Sequence, residues 1–262
     1  DNAIIKNIVL ENISISGRNY VGGITGYSYR NSSISYCITH GEISGAKYVG
    51  GIVGYQCSDT STLINRNYID YCNNTASINA DSYAGGIAGY VKSYYTSNNS
   101  VEYQGRSYIQ YCVNSGAVTA NDSIAGGIAG MCFDDWYNYQ YIRYCYNIGN
   151  ISSLNFVGGL IGHCDSIRTH VTHCYSIGSV SVATNYGGCF GSKPSSSSSF
   201  CYYLDEAVVN PTCTYGIAKS EDQLRKTTTY EQWDFTTTWT VAGRSDYIYP
   251  ELINRPLVLA ED

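Results

Sequence analysis

The chain of 262 residues contains 27 Gly, 28 Tyr and 11 Cys but only 4 Pro and 1 Met, and 14% of its residues are charged. Its formal net charge of -6 argues against nucleic acid and anionic membranes as partners, because both bind through basic surfaces. No apolar segment approaches the roughly 20 residues of a membrane helix, so no membrane insertion is expected. The many Gly, Tyr, Ile, Val and Ser residues predict strands and turns rather than helices.

The first 19 residues place isoleucines among polar side chains, a pattern typical of strands. When the Gly-Gly pairs at Gly22 and Gly50 are aligned, Ile15 falls in the same column as Ile43. We therefore interpret residues 1–19 as a first coil whose motif is degenerate. Nothing polar or helical covers this end, so we expect a monomeric fragment of a longer chain.

An eight-residue motif then recurs, and each copy carries a Gly-Gly pair and a third glycine. Its copies read YVGGITGY at 20–27, YVGGIVGY at 48–55, YAGGIAGY at 83–90, IAGGIAGM at 124–131, FVGGLIGH at 156–163 and NYGGCFGS at 185–192. Internal repetition indicates stacked units that share one core, which overrides the length-based expectation of two domains. We expect the glycines at tight corners with positive φ or at close backbone approaches that a Cβ would block.

A second motif, Ile-x-Tyr-Cys, follows each glycine motif after a connection of variable length. It reads ISYC at 34–37, IDYC at 69–72, IQYC at 109–112, IRYC at 142–145 and VTHC at 171–174, with a degenerate SSFC at 198–201. The connections contain 7, 14, 19, 11 and 8 residues, and removing them leaves 21 or 22 residues per period. A constant coil with one variable insertion predicts an all-β fold, a single-stranded β-solenoid (β-helix) of about six coils.

Two columns of aliphatic residues are predicted to fill the core. One contains Ile24, Ile52, Ile87, Ile128, Leu160 and Cys189, and the other contains Ile43, Ile78, Val118, Ile151 and Val180. In the Ile-x-Tyr-Cys motif strict alternation cannot bury both Ile and Cys, so a bend must fall inside it. We expect Ile and Cys inside and a stacked aromatic stripe outside, made of Tyr36, Tyr71, Tyr111, Tyr144, His173 and Phe200.

The glycine motif followed by Ile-x-Tyr-Cys-x-Asn-x-Gly resembles the GLUG motif of bacterial surface proteins and adhesins. The resemblance covers residues 20–201 and includes the Asn that follows the Cys, as in CVNSG at 112–116 and CYNIG at 145–149. It implies a secreted or surface-anchored repeat protein and carries no catalytic residue across. The NYGGCFGS copy and the degenerate motif before Cys201 depart from the pattern, which predicts a distorted last coil.

The longest connections are the richest in aromatic residues, and insertions at one position of successive coils must lie side by side. We predict that connections 55–68, 90–108 and 131–141 form one aromatic shelf. The ligand-binding residues proposed there are Tyr94, Tyr95, Tyr103, Asp134, Asp135, Trp136, Tyr137 and Tyr139. Rings beside amide and carboxylate groups suit glycan binding, and rigid Tyr and Trp also anchor protein interfaces. The alternative is that these rings only pack the insertions onto the solenoid.

The odd number of cysteines, 11, would normally indicate disulfides plus one spare thiol in a secreted protein. Six of them, however, share the Ile-x-Tyr-Cys column, where in-register Cβ atoms about 4.8 Å apart lie beyond the disulfide range. We therefore expect a buried ladder of free thiols. Cys132 and Cys164 form a second column, and oxidation of this pair stays open.

Two groups of residues could form a zinc site or a pair of catalytic carboxylates, but both have simpler explanations. Short, zinc-like spacings occur among His163, Cys164, His170, His173 and Cys174, yet repeat placement accounts for all of them. The carboxylate pair Asp134 and Asp135 lacks the basic companion that a polysaccharide lyase would use, since Arg143 is nearest and is placed outward. No metal, cofactor or catalytic residue is therefore predicted.

Beyond residue 201 the pattern ends, and we divide the chain into a solenoid at 1–201 and a C-terminal cap at 202–262. The sequence SEDQ at 220–223 fits a capping box that opens a short helix through about Lys226. Bulky side chains are predicted to close the open end of the core, namely Trp233, Phe235, Trp239, Tyr247, Tyr249 and Leu252. This stretch also resembles segments that often close such arrays.

These features together predict an extracellular adhesion or binding module that recognises a glycan or a host or matrix protein. A structural stalk is one alternative, but a stalk predicts insertions of uniform length. A carbohydrate-active β-helix enzyme is another, and it predicts carboxylates that converge in a groove. The expected location is secreted or on the cell surface.

Overall fold

A computed structural model of the protein describes residues 2–58, 64–98, 101–134, 139–166, 168–181, 183–192, 198–241 and 248–254. The first strands are β1 (Ile4–Lys6), β2 (Val9–Gly22), β3 (Thr25–Tyr29), β4 (Ser33–Ser35), β5 (Ile38–Gly50), β6 (Val53–Ser58), β7 (Ile64–Asp70), β8 (Asn73–Asn74), β9 (Ser77–Ala80), β10 (Tyr83–Gly85), β11 (Ala88–Ser93), β12 (Tyr95–Asn98), β13 (Val101–Gln110), β14 (Val113–Asn114) and β15 (Val118–Ala120). They continue with β16 (Ile124–Gly126), β17 (Ala129–Asp134), β18 (Tyr139–Arg143), β19 (Tyr146–Asn147), β20 (Ile151–Ser153), β21 (Phe156–Gly158), β22 (Ile161–Asp165), β23 (Thr169–Thr172), β24 (Tyr175–Ser176), β25 (Asn185–Gly187), β26 (Ser198–Ser199), β27 (Tyr202–Leu204), β28 (Ile217–Lys219), β29 (Trp239–Thr240) and β30 (Glu251–Leu252).

Helical structure in the described residues is short. The α-helix α1 spans Glu221–Leu224, and two 3₁₀ helices span Asp205–Ala207 and Thr227–Thr229. The capping box predicted for α1 is present, because the backbone N–H of Ser220 donates to the side-chain oxygen of Gln223, 3.0 Å away. No helix in the described part of the chain has the length and apolar character needed to cross a bilayer.

Corresponding strands of successive repeats pair in parallel and build the sheets. Sheet A has the order β1-β4-β7-β13-β18-β23-β26, with β12 added antiparallel to β13. Sheet C has the order β22-β17-β11-β6-β3, and sheet B has the order β25-β21-β16-β10-β5-β8-β14-β19-β24-β27-β28 with β2, β9, β15 and β20 joined to it. The predicted all-β class is confirmed, and the stacked parallel strands have the arrangement of a β-helix-like fold.

The core lies between these sheets and contains both predicted aliphatic columns. In the second column Ile43, Ile78 and Val118 are at most 1% exposed and occupy equivalent positions on β5, β9 and β15. The first repeat joins the same column, because Ile15 pairs with Ile43. The last glycine motif joins sheet C through an isolated bridge between Ile161 and Phe190 and not through a strand, which fits the predicted distortion of the last coil.

The glycine pairs are explained by close approach alone. A Cβ on Gly86 would overlap the carbonyl oxygen of Gly127 and Cγ of Asn114, and the pairs of neighbouring repeats are crowded in the same way. Among the described glycines, positive φ occurs at Gly41 and Gly216, which lie outside the motif. Of the two alternatives expected for the glycine pairs, positive φ and close backbone approach, the structure shows the second.

The bend of the Ile-x-Tyr-Cys motif falls on its aromatic residue. Left-handed backbone occurs at Tyr36, Tyr71, Tyr111, Tyr144, His173 and Phe200, whose φ values lie between 51° and 55°. This turn lets the preceding Ile and the following Cys both point inward, as Ile109 at 1% and Cys112 at 0% exposure illustrate. The rings stack outside, with centroids 4.5 Å apart between Tyr71 and Tyr111, so the predicted stripe is confirmed.

All eleven cysteines are buried as free thiols. In the motif column the thiols donate to backbone carbonyls, as Cys112 does to Gln110 at 3.1 Å and to Ile69 at 3.4 Å. Burial raises the pKa of Cys112 and of Cys145 well above the usual range. Cys132 and Cys164 are cross-strand neighbours between β17 and β22, and both are free.

The C-terminal aromatic residues do not close the end of the core, which corrects the prediction for the cap. Residues 220–241 and 248–254, here called the C-terminal strap, lie along the side of sheet B. They form an apolar cluster with four residues of successive repeats, and its members are Val113, Tyr146, Tyr175, Tyr202, Leu224, Tyr230, Trp233, Trp239 and Leu252. Trp239 is fully buried, with its ring 6.1 Å from Tyr146 and 6.1 Å from Tyr175. Tyr247 lies outside the described residues.

The end of the core is covered instead by residues that follow the last motif directly. Tyr203, Val208 and Cys213 belong to the main core cluster and are at most 7% exposed. The parallel pairing also continues past residue 201, from β27 to β28. The strap has its place on the side because sheet B presents an outward apolar column there that requires cover.

Candidate binding face

The predicted insertions are largely strands. Sheets A and C continue into the described parts of connections 55–68, 90–108 and 131–141. There β6, β11 and β17 pair with one another, and β7, β13 and β18 do the same. In the longest connection β12 and β13 form an antiparallel pair. Valine, threonine and tyrosine favour strands, and each strand here finds a paired neighbour in an adjacent repeat.

Small polar side chains fill the space between these two extensions. The hydroxyl oxygens of Ser58, Ser93 and Ser107 lie 3.0 to 3.2 Å from one another, which joins sheet C to sheet A. The amide of Gln140 donates to the carbonyl of Val91 across the same space, at 3.2 Å. Since side chains alternate along a strand, the large rings of sheets A and C must point away from each other.

The outer side of sheet A carries three rows of side chains, and we call it the sheet A face. Its central row contains Tyr68, Tyr108, Tyr141 and His170, which occupy equivalent positions in β7, β13, β18 and β23. Successive ring centroids in this row are 4.7, 5.0 and 5.3 Å apart. Both faces of Tyr108 are therefore covered by neighbouring rings, and a ligand would meet ring edges and hydroxyls.

Arginines flank the aromatic row on both sides. One row pairs Arg66 with Arg106 and Arg106 with Tyr139, and the guanidinium of Arg168 donates to the Tyr139 hydroxyl at 3.0 Å. Arg106 and Arg168 also lie over the Tyr139 ring, 5.6 and 5.1 Å from its centroid. Their hydrophobic stems and the rings pack together, which leaves a firm surface rich in N–H donors.

The third row places a carboxyl group and an arginine on the same face. It pairs Asp70 with Gln110 and Gln110 with Arg143, whose Nε donates to the Gln110 side chain at 2.9 Å. Burial raises the pKa of Asp70 to about 7, although Arg143 opposes the shift. Its Oδ1 is buried and has no hydrogen-bond partner.

The outer side of sheet C carries a second group of rings, which we call the sheet C face. Tyr27, Tyr55 and Tyr90 stack at 5.2 and 5.0 Å, and the tyrosines that open the first three glycine motifs meet them edge to face. The Nζ of Lys92 lies 4.1 Å from the ring centroid of Tyr94. Tyr27 is 46% exposed.

The structure separates the residues predicted for one aromatic shelf, so that prediction is wrong in its geometry. Tyr94 lies on the sheet C face, whereas Tyr139 lies on the sheet A face. Asp134 is 9% exposed and accepts a hydrogen bond from Ser166 at 2.8 Å, because its position in β17 points inward.

The remaining predicted site residues are only partly placed. Tyr95 and Tyr103 pair with Gln104 and Thr96 in the antiparallel part of sheet A, which fixes their backbone positions. Asp135, Trp136 and Tyr137 lie outside the described residues. The sequence reasoning missed Arg66, Arg106 and Arg168, although their parity with the buried Ile or Val of each second motif places all three outward.

The histidines and cysteines considered for zinc point to different surroundings. His163 is 4.4 Å from Phe156 between ring centroids, His170 stacks on Tyr141, and His173 lies beside Tyr144. Burial lowers the pKa of all three. Within the described residues no three His, Cys, Asp or Glu side chains come together as a metal site would require.

Comparison with known proteins gives a fold likeness. No protein-family model matches the sequence, and no curated protein matches it. A solved structure of a putative immunoglobulin A1 protease from Bacteroides ovatus is similar, with a TM-score of 0.64 and 22% sequence identity. The match covers 95% of this chain and 75% of that chain. At this identity the likeness concerns the fold and not the activity.

Proposed function

We propose that this chain is a binding module of a secreted or surface protein, built as one β-solenoid of GLUG-like repeats. Its ligand, a glycan or a host or matrix protein, contacts the sheet A face. The observation that carries this proposal is the row of stacked rings at Tyr68, Tyr108 and Tyr141 with guanidinium groups on both sides. Tyr and Arg are the residue types most enriched at binding hot spots.

A binding role accounts for features that a spacer does not need. A stalk requires only a stable core, and the extensions of sheets A and C add few residues to it, Val91 and Cys132 among them. The extensions add a polar contact between the two sheets and present rings and arginines outward. Such a surface has little value for spacing, but it suits recognition.

The name of the structural neighbour raises the question of peptide hydrolysis. In this chain the hydroxyl of Ser192 lies 2.7 Å from Nδ1 of His163, which is a nucleophile-and-base distance. The same hydroxyl oxygen, however, accepts the backbone N–H of Cys164 at 3.1 Å. We assign this contact to holding the strand edge, and the proposed function includes no catalysis.

The test is a binding screen of the purified protein against glycan arrays and extracellular matrix proteins, followed by variants. Tyr141→Ala and Arg143→Gln on the sheet A face should each weaken a detected ligand by roughly 1 to 4 kcal/mol. Tyr27→Ala on the sheet C face is the matched control and should leave the affinity unchanged. The reverse result would move the site to the sheet C face, and a screen without any ligand would contradict a binding function.

A further inference from the structure

The charge of the sheet A face is opposite to that of the whole chain. Four arginines, Arg66, Arg106, Arg143 and Arg168, lie there with Asp70 as their acidic companion, whereas the chain has a net charge of -6. Among the described residues, no carboxylate lies within ion-pair distance of Arg66, Arg106 or Arg143. The positive charge of these three arginines is therefore local, and within the described residues no salt bridge neutralises it.

Two observations indicate that an anion would stabilise this face. Arg66 and Arg106 are direct cross-strand neighbours, and like charges in that position destabilise a sheet unless a counter-charge joins them. The Nε of Arg106 is also buried without an acceptor, although a buried N–H donor normally has a partner. A negatively charged ligand placed over the arginines would relieve the repulsion between them.

We infer that the sheet A face binds a linear glycan with carboxylate groups, a chain of uronic acids that lies along the stacked strands. This inference rests on the proposed function and names its ligand class. Arg66 and Arg106 lie one strand apart, about 4.8 Å, and Arg168 lies two strands beyond Arg106 with Tyr139 between them. A uronic acid chain carries a carboxylate on every sugar, so it offers a negative charge to each of these arginines in turn. Guanidinium groups match the planar carboxylate with paired hydrogen bonds.

An acidic peptide fits this face less well. Side chains on one side of an extended peptide are two residues apart, which corresponds to about 6.6 Å and does not match the spacing of the arginines. Sugar hydroxyls also find partners on the face, because the ring edges of Tyr68 and Tyr141 lie between the arginine row and the row that contains Arg143. Stacking of sugars on the rings plays no part within the row, since the rings cover one another.

The experiment is calorimetric titration of the whole chain with a short oligogalacturonate, its methyl ester and an oligoglutamate, at low and at physiological salt. The oligogalacturonate should bind, with an affinity that falls as salt rises, and the neutral ester should not. Arg106→Gln and Arg143→Gln should each weaken binding by about tenfold, because each removes a charge-assisted hydrogen bond. Arg30→Gln is the matched control, since Arg30 lies over the Tyr29 ring on sheet C, and should change nothing.

The outcomes separate this inference from the proposed function. Equal binding of the methyl ester, or tighter binding of the oligoglutamate, would overturn the uronic acid ligand. In either case a loss of that binding in Tyr141→Ala would still support the sheet A face as a binding site. If none of the three probes binds while another ligand from the screen does, the inference is wrong and the proposed function stands. Thermal melts of every variant show whether the fold is intact.

Discussion

The side-chain amide of Asn74 donates a hydrogen bond to the side-chain oxygen of Asn114, 2.8 Å away, inside the core. Asn114 in turn donates to Asn147 at 2.7 Å, and each of these amides also donates to the carbonyl two residues further along. The asparagines that follow the Ile-x-Tyr-Cys motif thus form a buried ladder of hydrogen bonds, which joins Asn74, Asn114 and Asn147 of successive repeats. It packs directly against the glycine pairs, which explains why both features recur together.

Removing one amide from this ladder should be strongly destabilising. Asn114→Ala leaves the buried amide of Asn74 without one of its two acceptors and removes the amide that donates to the buried carbonyl of Gly116. We expect a loss of about 2 to 4 kcal/mol in the free energy of unfolding, measured by urea denaturation. Asn121→Ala, at an exposed position of the same repeat, should cost less than about 0.5 kcal/mol. Equal effects of the two substitutions would contradict the ladder.

A methyl group at a glycine pair should be tolerated even less. In Gly86→Ala the new Cβ would overlap the backbone of Gly127, which is held by strand pairing and cannot move away. We expect a loss of about 3 kcal/mol or more, or failure to fold. Gly17→Ala is the control, because its Cβ would meet only a methyl group of Val21 at 2.9 Å, which can rotate. The check is the yield of folded protein and its melting temperature.

The cysteines of the Ile-x-Tyr-Cys motifs should not react with thiol reagents in the folded protein. Cys72, Cys112, Cys145 and Cys174 are fully buried, and burial raises the pKa of each thiol well above its usual range. Because the thiolate is the reactive form, a thiol reagent should label none of the four before unfolding and all of them in denaturant. Mass spectrometry after labelling gives the count at each site. A disulfide between any two of them would contradict the free ladder.

Stability should depend on pH through Asp70. Its pKa of about 7 in the folded chain exceeds the usual value, so the folded state holds a proton that the unfolded state releases between about pH 4 and pH 7. Stability contributed by this group is therefore lost as pH rises through that window. Asp70→Asn should be more stable than the parent at about pH 8, on the order of 2 kcal/mol, and no more stable near pH 4.

The comparison of the two proteins, and not the parent alone, is the required measurement for Asp70. His163, His170 and His173 have lowered pKa values, so they oppose the trend by destabilising the fold as pH falls through about 6.5. Their contribution is the same in both proteins and cancels in the difference. A difference that does not change with pH would show that Asp70 is not held protonated.

The C-terminal strap should detach when its central side chain is removed. Trp239→Ala deletes a fully buried ring that contacts Tyr146, Tyr175 and Trp233. We expect rapid proteolysis within residues 220–254 and fast hydrogen exchange there, with the parallel sheets still protected. Val241→Ala, next to the strand that carries Trp239 but 36% exposed, is the control. Loss of protection throughout the chain would show that the strap is part of one cooperative core.

The buried and exposed positions of the repeats were predictable because each position of the coil carries the same type of residue in successive repeats. The Ile and Val columns, the inward Cys and the outward Tyr stripe all follow from burial and from the need for a bend. The parity of Ile and Cys required a bend inside the motif, but its position at Tyr71 and its equivalents is a backbone property that only the structure shows. What composition alone left open was the reason for the glycines, because crowding depends on Asn114, a residue of another strand.

The candidate site was harder to predict because it depends on side-chain parity within segments that were treated as loops. Once β11 and β17 are strands, Asp134 must point inward and Tyr94 and Tyr139 must belong to different sheets. No local motif marks the start of these extensions. The position of the strap on the side of sheet B was not predicted for a similar reason. The outward apolar column that it covers, Val113, Tyr146 and Tyr175, is spread over three repeats and contains different residues.

The near-identity of the repeats also creates an ambiguity during folding. A strand that carries a glycine pair could pair with the equivalent strand two repeats away as well as with that of its neighbour. In such a mispaired chain tyrosine rings would still stack on tyrosine rings. The differing connections remove this degeneracy, because the paired β12 and β13 fit the long extension of only one repeat among those described. The different lengths of the insertions therefore favour pairing between neighbouring repeats and disfavour arrays in which one repeat is skipped.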